Sequence, residues 1–263
     1  MHALVKAFIG GLLALLLIAA PAYAGAAYTN FLLSLYGTSN EYVWPLEANA
    51  TEIANAWPTT TNGTVTFGVT MTAYLKGFTV NSTGAIVPNN INLNPQGHSW
   101  TLMFWANPGT GAAAGNHYFS NTSALVPGTD FYVGGACGGY LETAQTNDTG
   151  FGVWHTCTLA NVNDGHTHFF VLACDGGAPG SCNFYTDAIL QGTVTHNDTA
   201  AVNQPVRFGN NDTYNNAITG SMGNLAFVYA QVTQAQVTAL YRCGIYGVCT
   251  SNPGGDENIE PLQ

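Results

Sequence analysis

Apolar residues recur along this chain with a period of two or in unbroken runs, and both patterns predict strands. In Asn224 to Ala230 both alternate sets are apolar, Leu225, Phe227 and Tyr229 on one side and Ala226, Val228 and Ala230 on the other. That is the pattern of a strand covered on both faces. Ser99 to Pro108, SWTLMFWANP, is likewise apolar on both faces and is expected at the centre of its sheet. Thr64 to Met71 alternates strictly, with Val65, Phe67, Val69 and Met71 on a buried face and mostly threonines opposite. Two further runs flank Asn163-Asp164-Gly165 within Phe151 to Gly176, and Asp-Gly between alternating runs predicts a hairpin. Val206 to Gly209 reads as another short strand. A helix starts after Thr233, which forms a capping box with Gln236, while Val232 and Val237 occupy the staple positions. Val237, Leu240 and Tyr241 then share one face.

The two ends read differently. Residues 1–24 have the parts of a secretory signal: His2 and Lys6, an apolar run from Phe8 to Ala20, and Ala22-Tyr23-Ala24 as a small-x-small cleavage site, which places the cut before Gly25. The competing reading is a retained helix over Ala7 to Ala27, for which Pro21 and the lone lysine make a poor anchor. No second apolar run of spanning length follows. Residues 25–40 form an N-terminal extension whose apolar segment Tyr28 to Tyr36, YTNFLLSLY, could add to a neighbour's sheet edge or pack on its own domain as an edge strand. Residues 41–249 are the folded domain, and the acidic tail 250–263 lacks periodicity.

Several local patterns together resemble a known family. Tyr42-Val43-Trp44-Pro45-Leu46-Glu47 is similar to the opening strand of laminin-G-like domains, and SWTLMFWANP to their strand in which Thr, an aromatic, Trp and Pro recur. Trp154-His155, the turn at Asn163-Asp164-Gly165 and the strand ending in Asp175-Gly176 follow the family's order. So does the closing glycine, buried strand ending near a tyrosine, Thr-x-x-Gln and Leu-Tyr over residues 218–241. The resemblance spans about residues 40–242 and implies an all-β fold: an antiparallel β-sandwich, a concanavalin A-like jelly roll, with one short C-terminal helix. Gly-rich turns and the lack of a helix signal before residue 233 agree with it.

Composition narrows the partners. With 263 residues, 46% hydrophobic, the chain can bury one good-sized core. Lys and Arg total 4 and the net charge is −10, so there is no basic patch to attract nucleic acid. The surface is built from Thr, Asn, Gly and Tyr, which suits sugars or close packing against other proteins. The six cysteines all follow the leader and are even in number, as in an oxidised secreted domain. Spacing pairs Cys174 with Cys182 and Cys243 with Cys249, leaving Cys137 with Cys157. Zinc is the alternative use, but no Cys-x-x-Cys is present. Asn49, Asn62, Asn81, Asn121, Asn147, Asn197 and Asn211 begin glycosylation sequons.

Catalytic chemistry is poorly supported. The resemblance extends to glycoside hydrolases, which need paired carboxylates, but the only comparable run, Asp256-Glu257-Asn258-Ile259-Glu260, lies in the tail. No nucleophile elbow, phosphate loop or His-Glu-x-x-His helix is present. His166 and His168, two apart on one face of a predicted strand, could hold a metal edge-on, or serve as solvated polar residues beside the turn. His155 belongs to the Trp-His pattern and reads as structural. Relatives in the family hold calcium at the sandwich rim, for which Asp164, Asp175, Asn211 and Asp212 are the candidate ligands. Trp57, Tyr118, Tyr140, Tyr185 and Tyr214 are the candidate rings for stacking on a sugar. The expectation is a secreted, non-catalytic, lectin-like domain binding glycans or a surface protein. A structural subunit of a filament, coat or virion surface, assembling through the N-terminal extension, is the alternative, and a polysaccharide-active enzyme the third reading.

Overall fold

The computed structural model describes residues 25–37, 41–56, 58–88, 98–110, 115–120, 128–133, 141–146, 153–157, 162–176, 180–196, 206–210 and 216–250. Two antiparallel sheets stack face to face. The first runs, in spatial order, β13 (Ile189–His196), β12 (Gly180–Thr186), β11 (His168–Cys174), β6 (Trp100–Asn107), β15 (Ser221–Val228), β4 (Lys76–Val80) and β3 (Val65–Thr70), with β1 (Glu41–Trp44) paired on β15. The second runs β10 (Val153–Cys157), β9 (Leu141–Thr146), β8 (Gly128–Val133), β7 (His117–Ser120), β14 (Arg207–Phe208), β5 (Ala85–Pro88) and β2 (Thr59–Asn62).

The doubly apolar strands are the centre of the first sheet. β6 is flanked by β11 and β15, and every residue of β15 is buried. Leu102, Phe104, Leu225 and Phe227 enter the core between the sheets, packed with Trp44, Phe170 and Phe208. Met103, Trp105, Ala226 and Val228 point the other way, into a second core beneath two helices. A register shift between Gly223 and Ala226 interrupts β15, and Asn224 sits there at φ 48°, a conformation asparagine tolerates. Its N–H donates to Pro45 O at 2.9 Å and its side chain to Lys76 O at 3.0 Å. β15 thereby pairs with β4 at Met222 and with β1 over Leu225 to Val228.

The helix α2 (Gln234–Tyr246) carries the capping box expected of Thr233 and Gln236 and ends at Gly247, φ 71°. β3 shows the expected alternation, with Val65, Phe67 and Val69 half-buried. The disulfides Cys174–Cys182 and Cys243–Cys249 are formed, the first across the β11–β12 hairpin and the second from α2 to the residues just after it. Cys137 lies outside the described residues.

Three expectations are corrected. The segment expected as an extra edge strand is a helix, α1, over 25–36. Tyr28, Phe31 and Leu32, spaced i, i+3 and i+4, are buried on the sheet's outer face beside Trp105, so they are not free to join a neighbour's sheet. The C-terminal helix therefore has a partner in the same layer. Asp164-Gly165 does not close a hairpin: β10 and β11 belong to different sheets, and the turn carries the chain between them. The tight hairpin is instead at Asp187-Ala188, φ 52° and 63°, between β12 and β13. Finally, Tyr229 lies beyond the end of β15 and is 36% exposed, because burial stops where the strand does. Among the described residues no helix is long and apolar enough to cross a membrane.

Candidate functional site

At the end of the sandwich where β4 leaves and β15 enters, the chain forms a cleft of about 500 Å³. Thr79, Val80, Asn81 and Ser82, from β4 and the turn to β5, make one wall; Ala217, Ile218, Thr219 and Gly220, leading into β15, make the other, with Asn116 beside them. The walls are bound together by side chains. Thr79 Oγ1 donates to Gly220 O at 2.7 Å, Asn116 Nδ2 donates to Ala217 O, and Thr219 Oγ1 donates to Asn116 Oδ1 at 3.2 Å. Behind them Asn210, fully buried, donates to Gly84 O at 3.0 Å and accepts from Asn216 N at 3.0 Å. Gly220 is required by its wall, since at φ 119° a Cβ would collide with Asn107 O.

Among the described residues that line this cleft none is ionisable. Its groups are hydroxyls, amides and backbone, which can donate to and accept from neutral ligand hydroxyls but cannot supply an acid, a base or a nucleophile activated by one.

Among the described residues, ionisable groups with local partners lie elsewhere. His168, at the start of β11, bonds Asp187 Oδ2 through Nδ1 at 2.6 Å and Asp164 Oδ1 through Nε2 at 3.1 Å. Burial opposes the imidazolium, yet the hydrogen bonds and charges of the two carboxylates together raise its pKa. Asp164 is pushed up by its own burial but held below its ordinary value by the His166 N–H and by His168. The imidazole stands between these two carboxylates, where a glycosidic bond would have to lie. Glu52, fully buried, accepts from Val43, Ala54 and Asn55 N–H groups at 2.7–2.8 Å and pins the loop after β1.

These contacts correct the calcium expectation for two of its ligands. Asp164 is committed to His168, and Asp175 accepts from Ser181 N at 3.1 Å and Ser181 Oγ at 3.0 Å. They stand at opposite ends of the seven-residue β11, roughly 23 Å of strand rise apart. Asp164 and Asp175 thus do not fit one calcium ion. Asn211 and Asp212 lie outside the described residues, among which no group of His, Cys, Asp and Glu converges as a metal site. His166 and His168 do not form a ligand pair: His166 is exposed and His168 half-buried against Asp187.

The stacking candidates are corrected as well. Tyr118 is fully buried against Phe104 and Tyr185 is 4% exposed beneath the helices, because each sits in a strand with its ring turned into a core. Neither can offer a face to a sugar. Trp57, Tyr140 and Tyr214 lie outside the described residues, as do Asn121, Asn147, Asn197 and Asn211, whereas the sequons at Asn49, Asn62 and Asn81 are exposed. An aromatic pair that the sequence reading missed is Tyr42, half-buried against the core, and Tyr229, 36% exposed, with centroids 6.3 Å apart at the far end of β15. Burial, and then Tyr42, push the Tyr229 hydroxyl up to about 12.

Two antiparallel sheets with a neutral cleft at one end define a jelly-roll sandwich of the lectin and glucanase class. The chain belongs to the concanavalin A-like lectin/glucanases superfamily, whose family model matches residues 79–238. No curated protein matches it in sequence. Among solved structures it is similar to domain 4 of AbnA, a GH43 extracellular arabinanase from Geobacillus stearothermophilus, in complex with arabinotriose. Identity there is 14% and the TM-score 0.60, covering 77% of this chain and 99% of that one. It is also similar to a botulinum neurotoxin type C structure, described as dependent on interaction with two ganglioside molecules for cell entry, at 10% identity and TM-score 0.58, covering 80% and 52%. A third is the binding domain of botulinum neurotoxin DC in complex with rat synaptotagmin II, at 10% identity and TM-score 0.56, covering 80% and 53%. The chain spans about half the length of both toxin chains. At such identities the likeness is one of fold.

Proposed function

We propose that this protein is a secreted, non-catalytic binding domain that takes a neutral oligosaccharide in the cleft between the β4–β5 turn and residues 217–220. The observation that carries this reading is the neutral, hydrogen-bonding character of the described residues that line the cleft, none of which is ionisable. Hydroxyl-rich, uncharged ligands match such a wall, while anions and cations would lose hydration there without a counter-charge. Structural neighbours that include an arabinotriose complex and a ganglioside-dependent toxin support glycan binding by analogy of fold, and of the two the arabinotriose is the neutral ligand. Two disulfides fit an oxidising, extracellular compartment.

The test is a glycan array on the secreted protein, with and without EDTA, beside Ser82→Trp, which fills the cleft from an exposed turn. The expected result is saturable binding to neutral oligosaccharides, competed by free sugar, unchanged by EDTA and at least about tenfold weaker in the variant, a loss of about 1.4 kcal/mol. Equal binding by the variant would overturn the assignment of the cleft. A protein partner is the second reading, supported by Ile189 and Leu190, 65% and 44% exposed on the edge strand β13.

A further inference from the structure

The carboxylate of Glu47 is packed directly on Gly25, the first described residue of α1. A Cβ on Gly25 would collide with both Glu47 carboxylate oxygens, so any larger residue there would have to displace that carboxylate. Gly25 is buried, and Glu47 and Gly25 share the wall of a cavity of about 270 Å³ with Thr70, Thr72, Tyr74 and Lys76. The Lys76 N–H and the Asn224 side chain favour the Glu47 carboxylate, yet its Oε1 is buried and has no hydrogen-bond partner among the described residues. Burial pushes the Glu47 carboxyl up, more than those partners and the Lys76 charge hold it down. A buried carboxylate oxygen without a partner costs free energy that a nearby cation would recover.

The sequence provides that cation at this residue. Ala22-Tyr23-Ala24 is a small-x-small cleavage site, and the bond it marks is Ala24–Gly25. A leader-removing protease adds one water across this amide. Ala24 departs with the carboxylate, and Gly25 keeps the nitrogen, which takes the remaining proton to become an ammonium. The Gly25 nitrogen is one bond of about 1.46 Å from the Cα that touches Glu47. We propose that leader removal at Ala24–Gly25 creates an α-ammonium that pairs with Glu47 and fastens α1 onto the outer face of the first sheet. In the uncut chain the same nitrogen is a neutral amide and the clasp lacks its charge. A helix N-terminus on its own disfavours a cation, so the attraction has to come from Glu47, and this fixes the sign of the test.

The experiment expresses the full chain in a secreting host, determines its N-terminus by intact mass, and follows acylation of the α-amine against pH. Lys76 is the only other primary amine in residues 25–263, so the two labels are resolved by peptide mapping. The expected N-terminus is Gly25. Its amine should titrate about one unit above the ordinary α-amino range of roughly 7.7–8.0. That elevation should vanish in Glu47→Gln and, independently of any variant, when the wild-type chain is unfolded in urea. A different N-terminus, or an amine that titrates alike in the folded and unfolded wild type, overturns the proposal. The outcome is independent of whether the cleft binds sugar.

Discussion

At His168 three segments meet through shared protons: β11 carries the imidazole, the turn before it Asp164, and the β12–β13 hairpin Asp187. The sign of the resulting pH dependence follows from the directions of the shifts. The His168 value is raised in the fold, so its contribution is complete below the unfolded value of about 6.5 and is lost as pH rises through the higher folded value. Asp164 is lowered, so its contribution is present above its unfolded value of about 3.9 and is lost as pH falls through the lower folded value. Calorimetry should therefore show the wild-type Tm declining above about pH 6.5 more steeply than that of His168→Gln. Parallel profiles would mean that the cluster is not coupled to folding. In the sequence His168 was visible as one of a histidine pair, but Asp187 was not: it arrives by a hairpin whose turn, Asp187-Ala188, lacks the glycine that usually marks one.

The elements that could be read from the sequence are those whose signals are local. The capping box of α2 needs only residues 233–236, and the burial of β15 only its own alternation. α1 was missed although its signal is also local, because Tyr28, Phe31, Leu32 and Leu35 fit a helical stripe while YTNFLLSLY also has the aromatic and apolar richness of a strand. What decided between them was distant: β6 and β15 are apolar on both faces, and the second face needed a cover. Leu32 is fully buried in that cover, so Leu32→Ala should cost about 2–5 kcal/mol in chemical denaturation. A cost below about 0.5 kcal/mol would show α1 to be undocked in solution. From the other side of the same layer, Gly244 of α2 lies against Trp105, and a Cβ there would collide with the indole ring. Gly244→Ala is expected to destabilise by about 1–3 kcal/mol despite alanine's better helix propensity, a reversal that the same denaturation experiment reads directly.

Across the whole molecule, charge and recognition are kept apart. The net charge is −10, yet the described residues of the cleft lining carry none of it, and the clusters around His168 and Glu52 consume their own carboxylates. The cleft was illegible because it does not exist in any one stretch: the bond from Thr79 to Gly220 closes 141 positions of chain, and that from Asn116 to Ala217 closes 101. Its neutrality sets a physical signature for the ligand. If a neutral oligosaccharide binds between these walls, its affinity depends on hydrogen bonds and contact rather than on Coulomb attraction. Raising ionic strength from about 0.05 to 0.5 M shortens the Debye length about threefold, and should leave the calorimetric Kd unchanged within about twofold, since no counterions are released. The same Kd should hold between about pH 5 and pH 8, whatever the charge on His168, because its cluster does not line the cleft. A Kd that rose steeply with salt would place an ionic ligand on the acidic surface outside the cleft. A Kd that tracked His168 instead would move the binding site to the turn of Asp164, and Asp187→Asn would then abolish it.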